Sequence, residues 1–231
     1  MIVMSRPDLA AALMQELMDH SDDDYVSAGT AVCSIKELTF CLRAAWYAHH
    51  SLADAPMSDG WDVQTRLKVS LGKAFGQLVN KAERRVEIPT AAGIISGRVD
   101  RDEVKLVFNK DYGELDDLVI PVEIKLTWFY KKDPPWASEQ YVEQLKSYVI
   151  ATGGTMGRLV LIRAGKPTIE CFEFEWSTQE LEEFKALLER RAFRVVGNEP
   201  PGGPRFDWEC RGCRFSHLRG GPCTIPKSKG E

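Results

Sequence analysis

Between Val86 and Phe174 the sequence alternates short apolar runs with turn-prone segments and one stretch of helical periodicity, which restricts the fold to a mixed α/β architecture. Val86–Pro89, Gly93–Asp100, Val104–Phe108 and Leu118–Leu126 read as strands, separated by turns such as Ala91-Ala92-Gly93 and Asp111-Tyr112-Gly113. A helix is predicted over Ala137–Thr152, strands over Arg158–Arg163 and Thr168–Phe174, and a helix from Thr178 to about Val195. Upstream, Leu9, Leu13 and Leu17 share one face of a short helix over Pro7–His20. The capping box Ser34-Ile35-Lys36-Glu37 opens a helix running to about His50, and Leu67, Leu71, Phe75, Leu78 and Val79 mark another over residues 61 to 85.

With 231 residues the chain can bury a full core, organised as an N-terminal helical segment (1–60), a sheet-bearing core (61–196) and a tail rich in Gly and Pro (197–231). No run approaches the roughly 20 apolar residues of a membrane helix. The N-terminal residues lack the apolar core and cleavage site of a signal peptide, so a cytoplasmic protein with no membrane partner is expected. A formal net charge of −4 argues against coating nucleic acid by bulk electrostatics, because such domains are strongly basic. The charge is uneven: residues 1–60 carry three basic and nine acidic side chains, residues 205–231 six basic and three acidic. A phosphate-binding surface is therefore expected to be local and near the C-terminus.

In Val122-Glu123-Ile124-Lys125 the period-two alternation sends Glu123 and Lys125 to one face of a strand and Val122 and Ile124 to the other. If the strand ending in Gly97-Arg98-Val99-Asp100 is its neighbour, Asp100 reaches the same face. Two carboxylates sharing a site repel unless a hard cation such as Mg²⁺ or Mn²⁺ neutralises them. Metal held by Asp100, Glu123 and the Ile124 carbonyl, with Lys125 orienting water or stabilising negative charge, suits phosphodiester hydrolysis. The plainer alternative is a surface salt bridge between Glu123 and Lys125. On the following helix, Gln144 and Tyr148 stand four residues apart, hence on one face.

Six cysteines without a secretory signal point to metal or cluster ligation rather than disulfides. Cys210-Arg211-Gly212-Cys213 has the spacing that turns two sulfurs toward one metal, and Cys223 follows after Gly220-Gly221-Pro222. Cys41, in Thr39-Phe40-Cys41-Leu42-Arg43-Ala44-Ala45-Trp46-Tyr47, is the best fourth ligand, His217 its rival, and Cys33 and Cys171 read as buried thiols. Spacing alone favours zinc over iron. Arg190, Arg191, Arg194 and the tail arginines are candidate backbone contacts for a nucleic acid, and Trp128, Phe129 and Trp136 candidate base-stacking residues.

Taken in order, these motifs resemble the RecB-like nucleases that carry an iron-sulfur cluster, in particular the CRISPR-associated exonuclease family, over about Ser34 to Cys223. Ser34–Tyr47 and Trp208–Cys213 resemble its cysteine motifs. Gly97–Asp100, Val122–Lys125 and Gln144–Tyr148 resemble its nuclease motifs, the last in the Q-xxx-Y form. The resemblance implies a PD-(D/E)xK restriction-endonuclease-like mixed sheet flanked by helices, with a cysteine-stapled lobe formed from both chain ends. It implies Asp100, Glu123, Lys125, Gln144 and Tyr148 as catalytic residues. Cys41, Cys210, Cys213 and Cys223 would hold a cluster, of the four-iron rather than the two-iron form, with zinc as the alternative. The implied activity is Mg²⁺- or Mn²⁺-dependent exonuclease action on single-stranded or frayed DNA ends, beside the CRISPR integrase. The sequence departs from the pattern at Gly76, which stands where the family's G-xxx-H motif has a metal-binding His; Gln77, Asn80 or Glu83 are possible substitutes. The nine residues between Cys213 and Cys223 are also more than the usual spacing. Two alternatives remain: a DNA-end or integrase-binding module with weakened catalysis, and a zinc-stapled nuclease of phage or mobile-element recombination.

Overall fold

The computed structural model describes residues 2–5, 8, 31–50, 83–109, 114–127, 139–163, 168–204, 209–210, 213, 215–216 and 221–223. In chain order the elements are β1 (Ile2–Ser5), β2 (Cys33–Ser34), α1 (Ile35–Thr39), α2 (Leu42–His49), β3 (Arg84–Thr90), β4 (Gly93–Val99), β5 (Arg101–Asn109), β6 (Glu114–Thr127), α3 (Glu139–Thr152), β7 (Met156–Arg163), β8 (Thr168–Glu175) and α4 (Thr178–Val196).

The fold is mixed α/β. A five-stranded sheet has the order β1-β8-β7-β6-β5, with β6 and β7 parallel and the other neighbours antiparallel. The parallel pair follows from its connection, because two parallel strands need a long crossover and α3 lies within that segment. A three-stranded sheet has the order β2-β4-β3, with β2 parallel to β4, while the two-residue link Ala91-Ala92 obliges β3 and β4 to run antiparallel. The chain forms two compact units. One comprises Met1–Gly29, Gly72–Ile88 and Gly97–Lys185; the other comprises Thr30–Leu71, Pro89–Ser96 and Ala186–Glu231.

In the first unit, β7 is buried from Gly157 to Arg163, as expected of a central strand covered on both faces. One face packs Leu159 and Leu161 with Phe174 and Trp176 against Leu145 and Val149 of α3 and Leu181 of α4. Each fully buried aliphatic side chain contributes roughly 1.5–3 kcal/mol. Gly157 lets the helix approach, since a Cβ there would lie 2.8 Å from Val149 Cγ2 and 2.9 Å from Leu145 Cδ1. The other face gathers Val122, Val160, Ile162 and Cys171, and beside them Arg158 is buried between Glu173, whose Oε2 accepts from Arg158 Nε at 2.9 Å, and Glu103.

Three expectations change. The segment from Ser34 to His50 is two helices, not one. Ser34 does cap the first through the predicted box, but Phe40 is extended (φ −108°, ψ −156°) and the second helix restarts with Cys41 as its N-cap. Thr39, whose hydroxyl bonds back to the Ile35 carbonyl at 3.1 Å, closes the first. Second, Arg84 and Arg85 belong to a strand rather than to the end of a helix, and Glu83 immediately precedes it. Third, Ile2–Ser5 pairs with β8 as an edge strand that nothing in the local pattern announced. Apart from the two-residue strand β2, which was not read from the sequence, the remaining strands and helices agree with the sequence reading to within a few residues, β5 and β6 being longer than expected. Of the predicted helices, Pro7–His20 lies outside the described residues except at Asp8, as does 61–85 except for its last three positions. Gly76, Gln77, Asn80, Trp128, Phe129, Trp136, Arg211 and His217 also lie outside them. Among the described residues no helix is long and apolar enough to cross a membrane.

Candidate functional site

Glu123 sits on β6 with only 1% of its side chain exposed and forms an ion pair with Lys125, two residues along the same face. Asp100 joins them by a different route from the one expected. Its strand β4 is not a neighbour of β6; instead Asp100 is the single residue between β4 and β5, and β5 enters the larger sheet opposite β6 with Arg101 facing Val122. The β5–β6 ladder therefore begins at that point, and the next backbone donor, Ile124 N–H, is taken by Asp100 Oδ2 at 2.6 Å. A backbone hydrogen bond thus fixes the Asp100 carboxylate beside Glu123. Ile124, expected to contribute its carbonyl, enters the arrangement through this N–H.

Helix α3 supplies the polar cover. Gln140, Gln144, Ser147 and Tyr148 are buried along it, and Gln144 Nε2 donates to the Tyr148 hydroxyl at 2.7 Å. Because that oxygen accepts from Gln144, the Tyr148 O–H is left as a donor. Burial, then the field of Glu123, and further Asp100 and Glu83, drive the phenol's pKa well above its ordinary value of 10, so it stays neutral. Burial works against the charge of Lys125, yet Glu123 and Asp100 outweigh it and the ammonium's pKa is raised above 10.5. Its Nζ also lies 5.4 Å from the centroid of the Tyr141 ring, a neighbour the sequence reading did not single out. The i, i+3 spacing of Tyr141 and Gln144 was the available signal. Glu83, offered as a substitute ligand, forms an ion pair with Arg98 at 3.7 Å.

Two carboxylates and one ammonium leave a net negative charge where Glu123 is buried and Lys125 partly exposed, and the donors are hard oxygens. That chemistry fits a small divalent cation. Among the described residues, however, no group of three or more His, Cys, Asp or Glu side chains gathers in a way that would hold a metal ion. Asp100 and Glu123 would need oxygen from the backbone or water to complete a coordination shell.

In the second unit each cysteine segment is shaped by its own backbone hydrogen bonds. The Cys41 carbonyl accepts from Ala44 and Ala45 at the start of α2. Cys213 N–H donates to the Cys210 carbonyl at 3.4 Å, and Cys223 is folded back by its N–H to the Phe215 carbonyl at 2.8 Å and by a bridge with Ser216. Gly221 is required for that return, since a Cβ there would lie 2.4 Å from the Phe215 carbonyl carbon. Burial pushes the Cys41 thiol up to about 11 against the Ala44 N–H, and the fields of Glu209 and Cys213 add to the rise. Cys41 thus lies within electrostatic reach of Cys213. None of the six cysteines forms a disulfide, and Cys33 and Cys171 are buried.

What holds the tail to α2 is partly side-chain hydrogen bonding that the sequence reading assigned to a metal. Trp46 Nε1 donates to the Gly197 carbonyl at 2.7 Å, Arg43 to Pro201 at 3.2 Å and the Tyr47 hydroxyl to Pro222 at 3.3 Å, while the Tyr47 ring stacks on Phe215. Arg191, a candidate phosphate contact, is instead buried and donates to the Leu38 carbonyl at 3.1 Å; Arg190 and Arg194 are exposed.

No protein-family model matches the chain, and no curated protein matches it. Among solved structures it is similar to one described as the crystal structure of SSO0001, with a TM-score of 0.54 and 21% identity over 94% of this chain and 97% of that chain. At that identity the likeness concerns the fold alone.

Proposed function

We propose that this protein is a Mg²⁺- or Mn²⁺-dependent deoxyribonuclease of the RecB-like, PD-(D/E)xK kind. On this reading it is an exonuclease that trims single-stranded or frayed DNA ends in the cytoplasm, beside the CRISPR integrase, during processing of new spacers. The observation that carries the reading is the meeting of three separated segments at one place: Asp100 on the Ile124 N–H, Glu123 paired with Lys125, and Tyr148 held by Gln144 within the field of both carboxylates.

Phosphodiester hydrolysis needs a positioned water and compensation of the negative charge that grows on the phosphoryl oxygens. A bound divalent cation would supply an acidified water and part of that compensation. Asp100 and Glu123, with the Ile124 carbonyl, are the groups proposed to hold it. Lys125 stays charged at neutral pH, so its ammonium can face the scissile phosphate or fix the water's orientation. Tyr148 remains a neutral donor, and Gln144 orients its hydroxyl toward the site. In the other unit Cys41, Cys210, Cys213 and Cys223 are proposed to hold an iron-sulfur cluster, of the four-iron form in preference to the two-iron one, or zinc in its place. Iron, sulfide and zinc analysis of anaerobically purified protein decides between them.

The deciding experiment is Mn²⁺-dependent degradation of an end-labelled single-stranded oligonucleotide, run beside Glu123→Ala and Lys125→Ala variants of matched fold and metal content. Loss of cutting in both variants supports the nuclease. An intact protein that binds the oligonucleotide and leaves it uncut supports instead a DNA-end-binding module, the reading to which Gly76, in place of the family's metal-binding His, points.

A further inference from the structure

We propose that Tyr141 is a positioning residue of this site, its ring carrying the Lys125 ammonium and holding it against the Glu123 carboxylate. The inference rests on the nuclease reading for its catalytic consequence, though the contact itself does not. Lys125 Nζ stands 5.4 Å from the Tyr141 ring centroid, inside the roughly 6 Å over which the electron-rich face of an aromatic ring attracts a cation. Tyr141 lies in the first turn of α3, three residues before Gln144 and seven before Tyr148, so the three share one helix face. Tyr148 meets the field of Glu123 and Asp100, and Tyr141 extends the same face by about two turns to Lys125.

The ring is itself anchored. It is half-buried and packs against the core cluster that contains Leu145, Val149, Leu159 and Leu161. A lysine side chain is long and has many rotamers, and its ion pair with a residue two positions along the same strand fixes a distance but not a direction. A second contact from a rigid ring on a different element removes that freedom. It also offsets the burial that opposes the ammonium's charge, with less competition for its N–H groups than a second carboxylate would bring. Lys125 is 24% exposed, so without the ring water would take up that side of the ammonium.

The test uses the protein with Mn²⁺ and an end-labelled single-stranded oligonucleotide, together with the rate of Lys125 acetylation at one fixed pH, read by mass spectrometry. Tyr141→Phe keeps the ring and is expected to retain kcat within about twofold, the scale of a spared contact. Tyr141→Leu is expected to lower kcat roughly two- to thirtyfold with KM unchanged, the range such a contact supports, and to speed Lys125 acetylation by uncovering the ammonium. Phenylalanines of increasing fluorine content at position 141 weaken the ring's negative face with little change in shape, and kcat is expected to fall along that series. This series decides the matter if the leucine variant does not fold. Unchanged kcat and acetylation rate in Tyr141→Leu overturn the proposal, as does a Phe variant as impaired as the Leu variant or a flat fluorination series. An intact protein that cuts nothing, while Tyr141→Leu still shifts Lys125 acetylation, removes the nuclease reading and leaves the positioning contact standing.

Discussion

Replacing Lys125 by Met removes the ammonium but keeps most of the side-chain volume, leaving Glu123, 1% exposed, without its ion-pair partner and beside Asp100. Two unit charges about 4 Å apart attract by roughly 4 kcal/mol at an effective dielectric of about 20. Breaking a buried pair from one side typically costs about 3–5 kcal/mol, and because Lys125 is 24% exposed a loss of about 2–4 kcal/mol is expected. In a chain of this size each kcal/mol moves Tm by about 2–4 °C, so Tm should fall by about 4–16 °C in EDTA at pH 7, followed by circular dichroism. The double variant Glu123→Gln/Lys125→Met removes both charges and should recover most of the loss, giving a coupling of about 2 kcal/mol or more in a double-mutant cycle. The sign of the pH dependence is set by the raised pKa of Lys125. Its stabilisation is complete below the ordinary lysine value of 10.5 and is lost as pH rises through the folded value, so the gap between intact protein and Lys125→Met should narrow only in strong alkali. A coupling below about 0.5 kcal/mol would refute the reasoning, because neighbouring groups that truly interact exceed it.

Gly157→Ala should push α3 off the sheet, with a stability loss of about 1–3 kcal/mol from overpacking against Leu145 and Val149 and a drop in cutting, since the same helix carries Gln144 and Tyr148; chemical denaturation and the oligonucleotide assay measure both. Gly221→Ala should disturb the return of the chain at Phe215 and with it the placement of Cys223, seen as lower iron or zinc content and faster proteolysis of the tail. Trp46→Phe removes the donor to the Gly197 carbonyl and should cost about 1 kcal/mol while raising the tail's protease sensitivity, whatever metal is present. The Glu180 carboxyl, held down to about 2 first by the Ser177 N–H and then by its hydroxyl, should titrate near that value by NMR and rise toward 4.5 in Ser177→Ala. The associated stabilisation is present above 4.5 and lost as pH falls through the folded value.

Much of this protein was determined locally. The strands around Gly93–Val99 and Thr168–Glu175 and the helices Glu139–Thr152 and Thr178–Val196 declare themselves because alternation and helical spacing are properties of a few neighbouring residues. The pairing of Glu123 with Lys125 and of Gln144 with Tyr148 was legible for the same reason, each being a short fixed offset on one strand or one helix. Tertiary structure decided what depends on distant partners. Ile2–Ser5 is a strand because β8, about 170 residues away, offers it unsatisfied backbone groups. The break at Phe40–Cys41, where a single helix was expected, exposes Cys41 as an N-cap, and Arg191 turns inward because the Leu38 carbonyl needs a donor there. Asp100 reaches Glu123 through the start of β5 and a backbone N–H of β6, not through a neighbouring β4. Periodicity specifies which face of an element is apolar, but only the closing of long loops, with its entropy cost and its particular hydrogen-bond partners, selects which faces meet.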